Sequence, residues 1–176
     1  MNHYKRFSKI NVLKKMSCYF IDLEGYYDDA GMIIPKEMCI MNVNDILNPK
    51  HMVFNDLPSF KLLSWSTQSR NQSLMCKNIY LTWLEGDEYF CPTCINEDMK
   101  INVNSTFYVF DKVNGDKISF LKRCFPNWKF KLYSLPVIHY FPNYIICPWR
   151  NHGPTCAYKH CLIGSLEYLK HVFRSI

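Results

Sequence analysis

Short apolar runs separated by turn-forming residues fill the first third of the chain. The runs at residues 17–23, 33–43 and 51–54 each have the length and apolar character of a strand. Residues 26–32 contain two aspartates and a glycine, which favour a tight turn. We therefore predict an antiparallel meander of two strands and a short third one.

The middle of the chain carries a weaker pattern. Residues 55–78 are rich in Ser, Gln and Asn, and they predict mostly loop with one helical turn around residues 60–65. Residues 106–110 and 129–132 predict two further strands. Residues 116–123 predict a helix that turns its apolar side chains inward.

Residues 157–173 have the clearest helical period in the chain. Apolar side chains recur there at steps of three and four residues, at Tyr158, Cys161, Leu162, Leu166, Leu169 and Phe173. The order of strands and helices predicts a single α/β domain over residues 17–176, with a central mixed sheet flanked by helices. Residues 1–16 are polar and basic, and we expect them to form a flexible lead-in.

Composition is that of a globular protein, with 48% hydrophobic and 20% charged residues. No apolar run approaches the roughly 20 residues of a membrane span, and none follows the basic N-terminus as in a signal peptide. We therefore expect an intracellular protein, nuclear or cytoplasmic or both, without a membrane partner. Its nine cysteines should then stay reduced or bind metal.

Five side chains that can hold a transition metal lie close together at Cys147, His152, Cys156, His160 and Cys161. Zinc prefers four ligands drawn from Cys, His and carboxylate groups. This stretch can supply three of the four ligands, at Cys147, His152 and Cys156. The fourth is His160, Cys161 or a residue from far up the chain. The alternative is a metal-free core in which these cysteines pack as small hydrophobic side chains.

A separate pair of cysteines forms the stretch Cys91-Pro92-Thr93-Cys94. This spacing is typical of half a zinc site or of a redox pair. We expect it in an exposed loop, and its role stays open at this point.

Asp22 and Glu24 end the first predicted strand. Two carboxylates that are two residues apart on a strand face the same side of the sheet. That arrangement suits one divalent cation, Mg²⁺ or Mn²⁺, or a shared pair in a phosphoryl-transfer site. The alternative is an ordinary solvated end of a strand.

This order of elements, with Asp22 and Glu24 on the first strand, resembles the DEDDh exonucleases of the ribonuclease H-like fold. The resemblance implies a further Asp in mid-chain, for which Asp111 or Asp116 is the candidate. It also implies a His and an Asp near the last helix, but Thr155 and His160 stand at the aligned positions. A two-metal nuclease without its last carboxylate and general base should be inactive or severely impaired.

The stretch Pro35-Lys36-Glu37-Met38-Cys39-Ile40 and the closing Cys–His–Cys residues resemble the Maelstrom domain of the piRNA pathway. That family is similar to DEDDh exonucleases in fold, has lost their catalytic set and binds zinc. The resemblance implies Glu37, Cys147, His152 and Cys156 as the zinc ligands, with the zinc tying the last helix to the second strand. The sequence departs from the family at Cys39, which replaces a glycine, and it lacks a clear second His, for which His139 is a guess.

Charge is unevenly distributed along the chain. Residues 117–176 hold nine Lys and Arg against one acidic residue, whereas residues 1–116 have a slight excess of acid. A basic region rich in aromatics suits single-stranded nucleic acid, which binds by stacking and phosphate contact. The candidate contacts are Lys129, Lys131, Tyr144, Trp149, Arg150 and Lys159. The alternatives are a solvated basic face without a partner and, for the aromatics, packing in the core.

These patterns together predict a catalytically degenerate, nuclease-like domain with a structural zinc that binds RNA or protein partners. The Maelstrom resemblance implies a role in small-RNA silencing of transposons. One rival hypothesis is an active metal-dependent nuclease that uses Asp22 and Glu24 with Asp111 or Asp116 and with His152 or His160. Another is a protein-interaction scaffold on which the basic face has no role.

Overall fold

A five-stranded mixed sheet forms the centre of the protein, as expected. The computed structural model describes residues 17–102, 104–111, 115–133, 146–149 and 156–174. The strands are β1 (Cys18–Tyr27), β2 (Ile33–Asn42), β3 (Asp45–Val53), β4 (Thr106–Val109) and β5 (Lys129–Leu132). Their spatial order is β3-β2-β1-β4-β5. The first three form the predicted antiparallel meander, and β4 and β5 continue the sheet in parallel with β1.

Four α-helices accompany the sheet within the described residues: α1 (Trp65–Leu74), α2 (Pro92–Met99), α3 (Asp116–Cys124) and α4 (Ala157–Arg174). A 3₁₀ turn at Phe60–Leu62 precedes α1, and a π-helical turn at Met75–Ile79 follows it. The α/β class and the predicted α3 and α4 are thereby confirmed. None of the described helices is both long and apolar enough to cross a bilayer.

Side chains alternate between the two faces along each strand, and both faces carry apolar side chains. Helices therefore cover both faces of the sheet. On one face Ile21 and Leu23 of β1 share a buried apolar cluster with Ile95 of α2 and Leu121 of α3. On the other face Phe20 packs in a second cluster with side chains of α4. The face under α4 also carries Asp22, so the functional groups described below lie in the interior between sheet and helix.

Gly164 allows α4 to lie directly on the sheet. A Cβ atom added at this position would collide with the rings of Phe110 and Phe20. Gly164 is itself buried in the middle of the helix. The cost of a glycine inside a helix is therefore offset by close packing against two aromatic rings.

The helix α1 corrects the prediction that residues 55–78 are mostly loop. Its sequence lacks an apolar stripe, so periodicity gave no helical signal. Ser64 caps the helix by accepting a hydrogen bond from the Thr67 N–H. Asn71 is buried and pairs with both the N–H and the C=O of Tyr27. A polar contact with a distant strand therefore anchors α1.

Two shorter predictions also need correction. The strand predicted at residues 51–54 is longer and begins at Asp45. The pair Cys91 and Cys94 lies at the start of α2 rather than in a loop, and a disulfide joins the two sulfurs. Pro92 gave the helical signal that we missed, since proline favours the first position of a helix.

Candidate metal centre

The register of β1, β2 and β3 brings acidic, thiol and imidazole side chains together under α4. Asp22 pairs with Cys39, and Glu24 pairs with Glu37 across β1 and β2. His51 of β3 pairs with Cys39 on the other side of β2. Paired residues in adjacent strands point to the same face of the sheet. Two polar clusters result, and the Glu24–Glu37 pair contributes one carboxylate to each.

The first cluster, called here the Glu37 cluster, consists of Glu37, His51, Cys147 and Cys156. The His51 Nε2 atom lies 2.8 Å from Glu37 Oε1 and 3.9 Å from the Cys147 sulfur. Ligand atoms of Glu37, His51 and Cys147 all lie within 4.8 Å of one another. The Cys156 sulfur lies 3.4 Å from Glu37 Oε1 and hydrogen-bonds Cys147. All four side chains are buried or nearly so.

In the Glu37 cluster, protons are held on side chains that can also bind a metal ion. Burial alone would lower the pKa of His51, but hydrogen bonds to Cys147 and Glu37 raise it to about 10. The pKa of Cys156 is raised, first by its hydrogen bond to Cys147 and then by burial. One carboxylate, one imidazole and two thiols make a four-ligand set of the kind that zinc prefers. Zinc deprotonates the thiols that it binds, so one divalent cation can replace the protons held here.

Glu37 also contacts the N-terminus of α4. The Ala157 N–H donates to Glu37 Oε2 at 3.1 Å, and Ala157 is the first residue of that helix. A carboxylate at this position is stabilised by the positive end of the helix dipole. Glu37 therefore ties β2 to α4 through this hydrogen bond, whereas a tie through zinc stays a prediction.

The side chain of Lys36, next to Glu37 in the sequence, bonds groups outside the Glu37 cluster. Its ammonium is buried and donates to the carbonyl oxygens of Phe54 at 2.7 Å, Trp83 at 3.0 Å and Glu85. Burial lowers the pKa of Lys36 to about 8 despite the charges of Glu85 and Asp56. Lys36 thus holds the segment after β3 against β2.

The predicted zinc ligands have three different outcomes. Glu37, Cys147 and Cys156 come together from distant parts of the chain. His152 lies outside the described residues, so its role stays a prediction. The alternates lie elsewhere, because His160 contacts Asp22 and the Cys161 thiol donates to the Cys39 carbonyl at 3.3 Å. His51 was predicted only as part of a strand, because its proximity to Glu37 arises from the register of β2 and β3.

The second cluster, called here the Asp22 cluster, consists of Asp22, Glu24, Lys117 and His160. The Lys117 ammonium lies 2.8 Å from Asp22 Oδ1 and 2.7 Å from Glu24 Oε1. The His160 Nδ1 atom hydrogen-bonds Asp22 Oδ2 and lies 3.6 Å from Glu24 Oε1. Asp22 is fully buried in the middle of β1, which continues to Tyr27, so the prediction that Asp22 and Glu24 end the strand was wrong.

Lys117 and His160 neutralise the two carboxylates. Burial would raise the pKa of Asp22, but the charges of Lys117 and His160 outweigh it and hold that pKa below its usual range. Burial dominates at Glu24 and raises its pKa. Burial alone would lower the pKa of Lys117 and of His160, yet Asp22 and Glu24 raise both. The cluster is therefore a set of ion pairs in which partly buried Glu24, Lys117 and His160 surround the fully buried Asp22.

Neither candidate for a third carboxylate joins the Asp22 cluster. Asp111 accepts a hydrogen bond from the Ile118 N–H at 3.1 Å and so caps the first turn of α3. Asp116 is the first residue of that helix. Among the described residues, the metal-ligating groups near Asp22 are Glu24 and His160 alone.

The predicted nucleic-acid contacts are divided between surface and interior. Lys129 and Lys131 are exposed on β5, at the edge of the sheet. Lys159, in contrast, is buried. The Trp149 ring is half-buried, and its Nε1–H donates to Glu85 Oε1 at 3.2 Å. Tyr144 and Arg150 lie outside the described residues.

Comparison with known proteins identified no similar protein. No protein-family model, no curated protein and no solved structure matches this chain. The function must therefore be argued from the two clusters and the charge of the surface.

Proposed function

We propose that this chain is a catalytically degenerate, ribonuclease H-like domain that holds a structural zinc ion and binds single-stranded RNA. The observation that carries the proposal is the Glu37 cluster. Its four ligands come from β2, β3, the segment before α4 and the residue preceding α4. A zinc ion held there would crosslink β2, β3 and the stretch that leads into α4, which is the role of a structural site.

The arrangement of the sheet supports the ribonuclease H-like assignment. A carboxylate-bearing first strand, a hairpin strand and a third strand come first in the chain, followed by a strand, a helix and a terminal helix. This is the order on which the resemblance to DEDDh exonucleases and to the Maelstrom domain rests. The role in small-RNA silencing follows only from the second resemblance and stays a prediction.

Lys117 supports the assignment of catalytic degeneracy. Its ammonium bridges the two carboxylates that a nuclease would use to hold a divalent cation. A magnesium ion needs oxygen ligands at 2.0–2.1 Å in near-octahedral geometry. A cationic side chain between the two ligands repels such an ion and occupies its place.

RNA binding is supported by the positive charge of residues 117–176 and by the exposed Lys129 and Lys131. We expect binding of a single-stranded RNA to weaken steeply as salt increases. The double variant Lys129→Gln/Lys131→Gln should flatten the plot of log affinity against log salt by about 1.4, from two lost phosphate contacts on a single strand. The exposed Lys77 and Lys100 give the matched control, Lys77→Gln/Lys100→Gln. Equal slopes for both double variants would count against this face, and no salt-dependent binding at all would favour the protein scaffold.

Metal analysis of the purified protein tests the zinc assignment. We expect one zinc per chain, and we expect its loss in Cys147→Ser. The control is Cys18→Ser, which changes a buried cysteine whose sulfur lies 3.5 Å from the Tyr168 hydroxyl, outside the Glu37 cluster. Zinc in both variants, or in neither the variants nor the parent, would contradict the proposal.

An active nuclease is the second candidate, because Asp22, Glu24 and His160 also converge as metal-ligating groups. It requires Mg²⁺ or Mn²⁺ to displace Lys117. The test is cleavage of single-stranded RNA in Mn²⁺ by the parent chain and by Asp22→Asn. Activity that disappears in Asp22→Asn would establish the nuclease and remove the degenerate assignment.

A further inference from the structure

The cysteine pair at the start of α2 lies apart from both polar clusters. Cys91 immediately precedes the helix, and Pro92 occupies the first helical turn. The two Cα atoms are 5.3 Å apart, within the usual range for a disulfide, and the sulfurs are joined. The Cys94 N–H points at the Cys91 sulfur at 3.3 Å. The pair is therefore built into a helix start.

Other contacts hold α2 in place without the disulfide. The Ile95 N–H donates to the Cys91 carbonyl at 3.0 Å, and the Ile95 side chain is buried in the core. The Trp128 Nε1–H donates to the Asn96 side chain at 2.8 Å. The disulfide closes a loop with only two intervening residues, and short loops gain least from a crosslink. Neither state of the sulfurs requires the helix to move.

Solvent reaches this pair more readily than most cysteines of the described chain. Cys94 is exposed and Cys91 is partly exposed, whereas Cys18, Cys39 and Cys161 are buried. A small thiol can therefore approach the Cys94 sulfur directly. Exchange requires such access, as well as a thiolate that leaves easily.

We propose that Cys91 and Cys94 form a reversible dithiol–disulfide centre that exchanges electrons with low-molecular-weight thiols of the glutathione class. An incoming thiolate attacks the Cys94 sulfur, the Cys91–Cys94 bond breaks, and Cys91 leaves as a thiolate. A second thiolate attacks the incoming sulfur of the mixed disulfide and releases Cys94. Two thiols are thereby oxidised to one disulfide, and the protein gains two electrons and two protons.

Cys91 is the better leaving group of the two. Its sulfur accepts the Cys94 N–H and lies at the N-terminus of α2, and both features stabilise a thiolate. The leaving thiol with the lower pKa leaves faster. Attack at Cys94 is therefore assigned on two grounds, the exposure of Cys94 and the position of Cys91 at the N-terminus of α2.

Equilibration with glutathione tests the exchange. The full chain is incubated at a series of ratios of reduced to oxidised glutathione, and its free thiols are then blocked. The mass of the peptide that contains residues 91–94 is measured by mass spectrometry. We expect one two-electron transition from disulfide to dithiol without a stable adduct. Cys91→Ser and Cys94→Ser should each trap one glutathione instead. The control Cys76→Ser, which removes an exposed lone cysteine, should leave the transition unchanged.

Three results would overturn the proposal. The pair could stay oxidised until the chain is unfolded, which would make the disulfide structural. It could stay reduced in oxidised glutathione, or it could hold a metal ion that is lost only in the double variant Cys91→Ser/Cys94→Ser.

The assignment of Cys91 as the leaving group has its own test at pH 7. Cys91 in Cys94→Ser should alkylate faster than Cys94 in Cys91→Ser, because the N–H of residue 94 and the N-terminus of α2 stabilise the Cys91 thiolate. Equal or reversed rates would overturn that choice.

Discussion

The Glu37 cluster and the Asp22 cluster lie side by side under the first turns of α4, yet they balance their charges differently. In the Asp22 cluster two carboxylates face two basic side chains, Lys117 and His160. In the Glu37 cluster one carboxylate faces one imidazole and two thiols. The first set matches two cations to two carboxylates, whereas the second has one cation, His51, beside its single carboxylate. The second keeps the soft ligands that bind zinc, which teaches that carboxylates alone do not identify a metal site.

The sharpest way to break this comparison is to remove a thiol from the Glu37 cluster. We expect Cys147→Ser to lower the free energy of unfolding by about 5 kcal/mol or more, because structural zinc sites contribute much of the stability of small domains. Thermal unfolding followed by circular dichroism measures the loss. The parent protein should lose a similar amount when a chelator is added, and the variant should not respond to it.

Cys161→Ser is the matched control for that experiment. Cys161 is also buried and lies on α4, but its thiol bonds the Cys39 carbonyl, and a serine hydroxyl can donate in its place. The comparison fails if both serine variants unfold alike with equal zinc content.

Removal of Lys117 should have the next largest effect. Lys117→Met leaves Asp22 and Glu24 buried without their main counter-charge, and breaking such a pair costs about 3–5 kcal/mol. We also expect the variant to gain a response to Mn²⁺, seen as a rise in melting temperature that the parent lacks. Lys50→Met removes an exposed ion pair with Asp98 and should cost less than about 1 kcal/mol. A stable Lys117→Met without any response to Mn²⁺ would contradict the role assigned to Lys117.

Gly164→Ala should disturb both clusters indirectly. The added methyl meets the rings of Phe110 and Phe20, and overpacking of this kind costs about 1–3 kcal/mol. Denaturant unfolding measures the change. Gly31→Ala gives the complementary case, since its methyl meets open space and its cost comes from the φ of +76° alone. A neutral Gly164→Ala would mean that α4 does not rest on these rings.

The pH dependence of stability should show the charge of His160. Asp22 and Glu24 raise the pKa of His160 above its unfolded value, so the folded state holds the extra proton. Its contribution is complete below the unfolded pKa, about 6.5, and is lost as pH rises through the folded pKa. Between the two values stability should fall by about 1.4 kcal/mol per pH unit. In the zinc-loaded protein, where His51 would be a neutral ligand, His160→Asn should remove this slope, and an unchanged slope in that variant would assign it to another group.

Local pattern predicted much of the fold. The apolar runs of β1 and β2 and the three- and four-residue steps of α4 are signals within single segments. The helix α1 was missed because Asn71 finds its partner, Tyr27, in β1, 44 residues away. The predicted fate of the cysteines was wrong for Cys91 and Cys94, which form a disulfide.

The candidate site was predicted in part for the same reason. Cys147 and Cys156 lie in one stretch with a recognisable spacing, and Glu37 followed from a family resemblance. His51 joins them only through the register of β2 and β3. The role of Lys117 was not predicted, because its two partners lie 95 and 93 residues earlier in the chain. Contacts of that range depend on the assembled sheet and leave no periodic signal.

Zinc-edge X-ray absorption of the purified, zinc-loaded protein tests the central claim most directly. The Glu37 cluster predicts two sulfur ligands at about 2.3 Å and two nitrogen or oxygen ligands at about 2.0–2.2 Å. His51→Asn and Glu37→Gln should each change the nitrogen and oxygen ligand distances and leave the two sulfur ligands in place. A spectrum without sulfur would place the ion elsewhere, for example at the Asp22 cluster, and would contradict the account.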